Sequence, residues 1–303
     1  MKLKDLESTI SYIQKSGRSL EVKRLNHLFY GGSVDDVLLE LQKYQNDDGG
    51  FGHALEPDCW NPESSSIQSW TAITILRELN LESSHPMIMK LFEYLEASFN
   101  HQTNRWDLLH PHNNIYPHAP WWEYREVEPS FNPSASIAGF IIRHENPSSP
   151  LYKDAYTVYL DALDFIDNNE GPMEMHELRC LLDMANDLYE THQFDPDYLN
   201  MVQRLIIQIR IVIETDETKW FSTYSVKPSF MIKHHPSIGS DEFKDLMIKE
   251  FELALTNRNS EGFWPITWSW SHYPESFSKA KAMWSSIISY EYLSLMKQFK
   301  FIE

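Results

Sequence analysis

The residues of this chain best suited to chemistry stand in the run His53-Ala54-Leu55-Glu56-Pro57-Asp58. Glu56 and Asp58 flank a proline. The proline holds the residue before it in extended backbone, so two carboxylates two positions apart point to different sides. One can clamp the loop while the other faces a cavity, with His53 near enough to join it. Acid or base work would need one carboxyl raised in pKa by apolar surroundings or by its neighbour. The competing use is structural, with both carboxylates bonding loop amides. Which of the two faces a cavity is open at this level.

Aromatic residues supply the second group. Trp121 and Trp122 precede Glu123-Tyr124-Arg125, a pairing of rings and charges suited to a cavity rim. Trp264, Ile266, Trp268 and Trp270 recur at every second position, which places them on one side of an extended segment. These five tryptophans are the candidate substrate-binding residues, although such sets more commonly fill a core.

No metal or cofactor site is expected. Asp58 and Cys59 are adjacent, a spacing that seldom serves one ion, and His234-His235 lacks a third ligand. Asp35-Asp36-x-x-x-Glu40 has the look of a magnesium-binding run, but Ser33 just before it makes these first-turn acids that favour a helix dipole. Asn186-Asp187 with Glu190 lacks the hydroxyl of a second magnesium motif.

These segments need helices to hold them. Apolar spacing predicts helices over 3–15, 20–28, 34–45, 67–79, 86–99, 133–144, 151–168, 173–190, 196–213, 240–256 and 277–298. Long polar loops over 46–66 and 101–132 lie between them, and the second holds His101, His110, His112 and His118. No βαβ pattern occurs. A helix, a polar stop and an aromatic residue recur around Phe51, Trp106, Trp220 and Phe263, with Gly171-Pro172 as a further turn. Stacked or closed helical pairs in one all-α domain over 1–303 are the expected fold.

The run Gln45-x-x-Asp48-Gly49-Gly50-Phe51 resembles the Gln-…-Asp-Gly-Gly-aromatic repeat of the terpenoid cyclase and protein prenyltransferase superfamily. In squalene–hopene cyclases that repeat ties successive helical hairpins of an α/α toroid together. Gly49 to Asp58 also resembles a run in bacterial proteins labelled "prenyltransferase and squalene oxidase repeat", which carry no established reaction. The resemblance implies an α/α toroid with a central aromatic cavity, acting on an isoprenoid or another apolar small molecule. The Asp-x-Asp-Asp acid of the cyclases and the Asp-x-Cys zinc spacing of the prenyltransferases are both missing. Two alternatives follow: a carbohydrate-active helical barrel with paired carboxylates, and a binding scaffold without catalysis.

Composition narrows the partners. A net charge of −18 argues against nucleic acid, whose phosphates call for a basic surface. No run approaches the roughly 20 apolar residues of a membrane span. The N-terminal Met1-Lys2-Leu3-Lys4-Asp5 lacks the apolar stretch of a signal peptide, and two cysteines imply no disulfide framework. A cytoplasmic protein with a small-molecule ligand is therefore expected.

Overall fold

The computed structural model describes residues 1–303. The chain is all-helical. Its α-helices are α1 (Glu7–Ser16), α2 (Ser19–Tyr30), α3 (Val34–Leu41), α4 (Ser66–Leu79), α5 (Pro86–Ser98), α6 (Ser134–His144), α7 (Pro150–Asn168), α8 (Met175–His192), α9 (Pro196–Val212), α10 (Pro228–Met231), α11 (Lys244–Thr256) and α12 (Pro274–Gln298). The only β pairings are three isolated bridges. No helix is long and apolar enough to cross a membrane.

Helix ends follow their local chemistry. Ser33 caps α3 by accepting the Asp35 N–H, and Ser65 caps α4 through Gln68. Glu174 caps α8 by accepting from His176 and Glu177. Asp195 accepts the Asp197 N–H at 2.9 Å at the start of α9. Several boundaries differ from expectation: the helix expected from 240 begins at Lys244, and the one expected from 3 opens as a 3-10 turn over Leu3–Leu6. The helix expected over 34–45 ends at Leu41 and tightens into a 3-10 turn over Gln42–Tyr44. The last helix begins at Pro274 rather than 277, because proline is at home in a first turn.

The chain forms two compact units, Tyr44–Val212 and Met1–Lys43 with Ile213–Glu303. In the first, α6 packs on α7 and α8, α9 on both α7 and α8, α4 on α6, and α5 on α7. A buried charge hub lies among α4, α6 and α8. Arg77 meets Asp187 at 2.6 Å and donates to Ser136, while Ser136 donates to Asp183 at 2.9 Å. Asp187 is thus an ion-pair partner of Arg77 in the core. In the second unit α1 and α2 pack on α12, α2 on α3, and α10 on α11. Asp36 pairs with Lys23 at 2.9 Å and Glu40 with Lys43 at 2.6 Å, so two of the three acids of α3 are matched to a lysine.

A similar turn occurs three times, its second copy one residue longer than the other two. Asn46 N–H donates to Gly50 O, Asn100 N–H to Arg105 O, and Asn259 N–H to Phe263 O, at 2.8, 2.9 and 3.0 Å. Each turn contains one residue at positive φ: Gly49, Asn104 and Gly262. Each is followed by a fully buried aromatic, Phe51, Trp106 or Trp264. Both indoles donate back to the preceding helix, Trp106 to Leu95 O at 2.9 Å and Trp264 to Ala254 O at 2.8 Å. The equivalent of Phe51 in the third turn is therefore Trp264, one residue beyond Phe263, which stacks on Tyr12. Trp220 donates to Glu214 O without this turn, and no aromatic stands at exposed Gly171.

In the first copy the Gln45 amide donates to Gly49 O at 2.9 Å and to Met87 O at 3.1 Å, fastening the turn to the start of α5. Asp48 accepts the Gly50 N–H at 3.0 Å and the Ser64 hydroxyl at 2.6 Å. Gly49 is required here on two counts. Its φ is +91°, and a Cβ would lie 1.9 Å from Lys90 O.

Candidate functional site

Loops 46–66 and 101–132 are laced together within the Tyr44–Val212 unit. Gln68, from the first turn of α4, holds both ends of the Glu56–Cys59 stretch. Its Oε1 accepts the Glu56 N–H at 2.8 Å and its Nε2 donates to Cys59 O at 2.7 Å. Ala119 N–H donates to Asp58 O at 2.8 Å and Trp60 N–H to Pro117 O at 3.0 Å, framing the Cys59–His118 bridge. His53 and Ala54 take left-handed backbone, which reverses the chain just before Glu56.

Glu56 and Asp58 do come together. The Glu56 carboxylate accepts the Asp58 N–H at 2.9 Å, and both residues are buried, at 6% and 2% exposure. His53 instead lies exposed and its Nε2 stands 2.9 Å from Asn46 Oδ1. Burial, with the charges of Glu56 and then Asp58 beside it, pushes the Cys59 thiol up to about 12. The protonated thiol donates to Asn113 Oδ1.

Asn113 links this floor to a group of histidines. Its amide donates to Trp122 O at 2.9 Å, and its Oδ1 accepts from Asn61 at 3.2 Å. Asn61 Nδ2 also lies 3.1 Å from His110 Nδ1, and its Oδ1 accepts the Glu63 N–H at 3.0 Å. The His112 backbone N–H points to His110 Nδ1 at 3.2 Å. A backbone N–H only donates, so Nδ1 of His110 is an acceptor and its Nε2 carries the proton. That Nε2 lies 3.7 Å from Glu63 Oε2, close for charge but too long for a direct hydrogen bond. His112 Nδ1 meets the same carboxylate at 2.8 Å. Burial lowers the His110 pKa; Glu63 opposes this and His112 reinforces it.

These groups edge a pocket of about 690 Å³, lined by Asp48, His53, Glu63, Tyr94, Asp107 and His110 among others. The size suits a small molecule. Ser64, Ser65, Ser66 and Ser98 add hydroxyls, and Trp106 gives an apolar patch. A smaller hollow of about 550 Å³ lies beside Arg105, Asp161 and Glu177. Three of its charged groups are already engaged. Arg105 pairs with Asp161 at 2.8 Å and covers the Phe131 ring, while Glu177 accepts from Ser130 and from the Phe131 N–H.

Comparison with protein-family models, with curated proteins and with solved structures gives no match for this chain.

Of the expected catalytic residues, then, His53 lines the pocket, and Glu56 and Asp58 are buried in the loop beside it. Trp121 is half-exposed and Trp122 buried, in the same unit. Trp264, Trp268 and Trp270 belong to the other unit. Trp264 and Trp270 are core residues, Trp264 tilted against Tyr292 and Trp270 edge-on to Phe277, and Trp268 lies edge-on to Trp284. Pro265 and Ser269 are exposed between them, but Ile266, Thr267 and Trp268 are all half-buried, so burial does not alternate through the middle of the segment. Sequence reading passed over Glu63. The only local signal was the His110-Pro111-His112 spacing, and nothing in sequence links those histidines to a glutamate far upstream.

Glu63, His110 and His112 present ligand-type atoms within 4.8 Å of one another, a grouping worth testing for a cation. Metal bound through His110 Nε2 would displace its proton, leaving a ring that also has no proton on Nδ1. A neutral metal-bound imidazole needs that second proton and a partner to accept it. The two donors facing Nδ1 oppose this, so the grouping fits a proton-handling site better than a metal site.

Proposed function

We propose that the Tyr44–Val212 unit binds a hydroxylated, sugar-sized molecule in this pocket and performs acid–base chemistry on it. The observation that carries this reading is the Glu63 carboxylate, held by His112 at 2.8 Å and faced by the protonated Nε2 of His110, at the edge of a polar pocket. Glu63 would accept a proton from a ligand hydroxyl or water, as a general base. Neutral His110 would donate a hydrogen bond to a ligand oxygen. Its lowered pKa keeps it neutral, which suits a donor that must not compete for the proton.

The isoprenoid reading, with its α/α toroid and its likeness to terpenoid cyclases, is the second reading. It draws on the repeated asparagine turn with its buried aromatic. It comes second because a prenyl chain would strip water from Asp48, Glu63 and Asp107 and give no hydrogen bond in return.

The test is hydrolysis of a panel of 4-nitrophenyl glycosides by the wild-type protein and by Glu63→Gln. Glu63 is half-exposed, so the variant should keep the fold. The reading expects turnover of at least one glycoside and a loss of about 100-fold or more in the variant. Equal turnover by both proteins, or none from either, would count against it.

A further inference from the structure

The other unit, formed by Met1–Lys43 with Ile213–Glu303, buries a chain of polar groups that the pocket does not use. Glu250 on α11 is fully buried. Its Oε2 accepts the Ser229 N–H at 2.7 Å, and its Oε1 accepts the Ser229 hydroxyl at 2.5 Å and the Tyr292 hydroxyl at 2.7 Å. Lys227 Nζ donates to the same Tyr292 oxygen at 2.8 Å and lies 4.0 Å from Glu250 Oε1. The Phe221 and Tyr292 rings flank the nitrogen at 4.9 and 5.1 Å. The Lys227 side chain keeps 22% of its exposure, whereas Glu250 keeps none. A lysine whose side chain is only partly exposed is thereby joined, through a phenol, to a sealed carboxylate.

A countercharge for Glu250 would account for a lysine nearby. It would not account for the phenol between them. A direct ion pair brings nitrogen and oxygen to about 2.7–2.9 Å. Here Tyr292 takes that place, accepting from the amine and donating to the carboxylate. The arrangement gives a proton a path away from Lys227 into a site closed to water.

We propose that Lys227 is a nucleophilic amine, with Tyr292 and Glu250 as its proton path, and that it forms an imine with a small aldehyde or ketone. The nitrogen lone pair bonds the carbonyl carbon, and the C–O π pair moves to oxygen, which Tyr292 protonates. The proton released from nitrogen returns by way of Tyr292 and Glu250. A second proton from Tyr292 lets the carbinol oxygen leave as water while the nitrogen lone pair forms the C=N bond, and the iminium returns its N–H proton along the same path. Amine and carbonyl give imine and water, with no change of oxidation state. Burial also lowers the Lys227 pKa below the ordinary 10.5; Lys233 adds to this, while Glu250 and Glu291 oppose it. Lys233 is itself tied to Glu291 at 2.9 Å.

Propanal with sodium cyanoborohydride at pH 7 tests the proposal, since the hydride fixes any imine as a stable secondary amine that peptide mass mapping can place. Lys227 is expected to be alkylated several-fold faster than the more exposed Lys249 and Lys219. Tyr292→Phe, which keeps the ring and removes the phenol, is expected to bring Lys227 down to the rate of those two. Labelling ordered by exposure alone would overturn the proposal. So would an unchanged Lys227 rate in a folded Tyr292→Phe protein. If that variant does not fold, the wild-type labelling order decides.

Discussion

The Glu56 carboxylate stands 2.9 Å from the Asp58 backbone N–H and accepts its hydrogen, under a loop that buries both residues. Glu56 therefore clamps the turn through Pro57. A charge-assisted bond of this kind is worth about 1.5–3 kcal/mol, and Glu56→Gln should lose much of that. Thermal melts of the variant against wild type check it. An unchanged melting temperature would show that the clamp carries no stability.

Phe51 is fully buried at the end of the Gln45–Phe51 turn, and Phe51→Ala should destabilise the fold by about 3–5 kcal/mol. Gly49→Val should fail as well, for a separate reason: its φ is +91° and the Lys90 carbonyl occupies the position of any Cβ. Urea unfolding of both variants is the check. Wild-type midpoints would mean that the turn is not a fastening point.

The helices were legible because apolar spacing and caps are local. Ser33, Pro86 and Asp195 mark starts in the sequence and mark them in the structure. The asparagine turns were half legible. Asp48-Gly49-Gly50-Phe51 is distinctive, but Asn100 to Trp106 reaches a similar turn with Asn104 in place of glycine, and its hydrogen bonds cannot be read from composition. The pocket was the least legible part. Glu63 meets His112 where the Asn61–Asn113 bond laces two loops together, and these contacts span 49 and 52 residues of chain.

The two cysteines should be inert in the folded protein. Both are buried, the Cys59 thiol is pushed up to about 12, and burial raises Cys180 as well. An aromatic disulfide reagent at pH 8 should find neither thiol before denaturant is added and both afterwards. Rapid reaction of Cys59 in the native protein would show that the floor beneath Asn113 opens.

Stability should fall as the solution is acidified below about pH 6.5. Burial depresses the His110 pKa below the ordinary 6.5, so the unfolded chain binds that proton more readily than the folded one. The contribution is complete above 6.5 and is lost as pH falls through the folded value. His144, lowered by burial and by Arg143, acts in the same direction. Melts at pH 7.5 and 5.5 should differ less in His110→Asn than in wild type, since asparagine can still accept the His112 N–H. Equal differences in the two proteins would remove His110 from this account.

Ligand-observed saturation-transfer NMR shows whether a polar ligand binds at Glu63 and His110. The wild-type protein and Glu63→Gln would each be mixed with a panel of methyl glycosides and disaccharides and, separately, with farnesol. The account predicts saturation transfer to at least one saccharide with the wild type, its loss with Glu63→Gln, and none to farnesol with either. Transfer to farnesol alone, or a saccharide signal that survives Glu63→Gln, would contradict it.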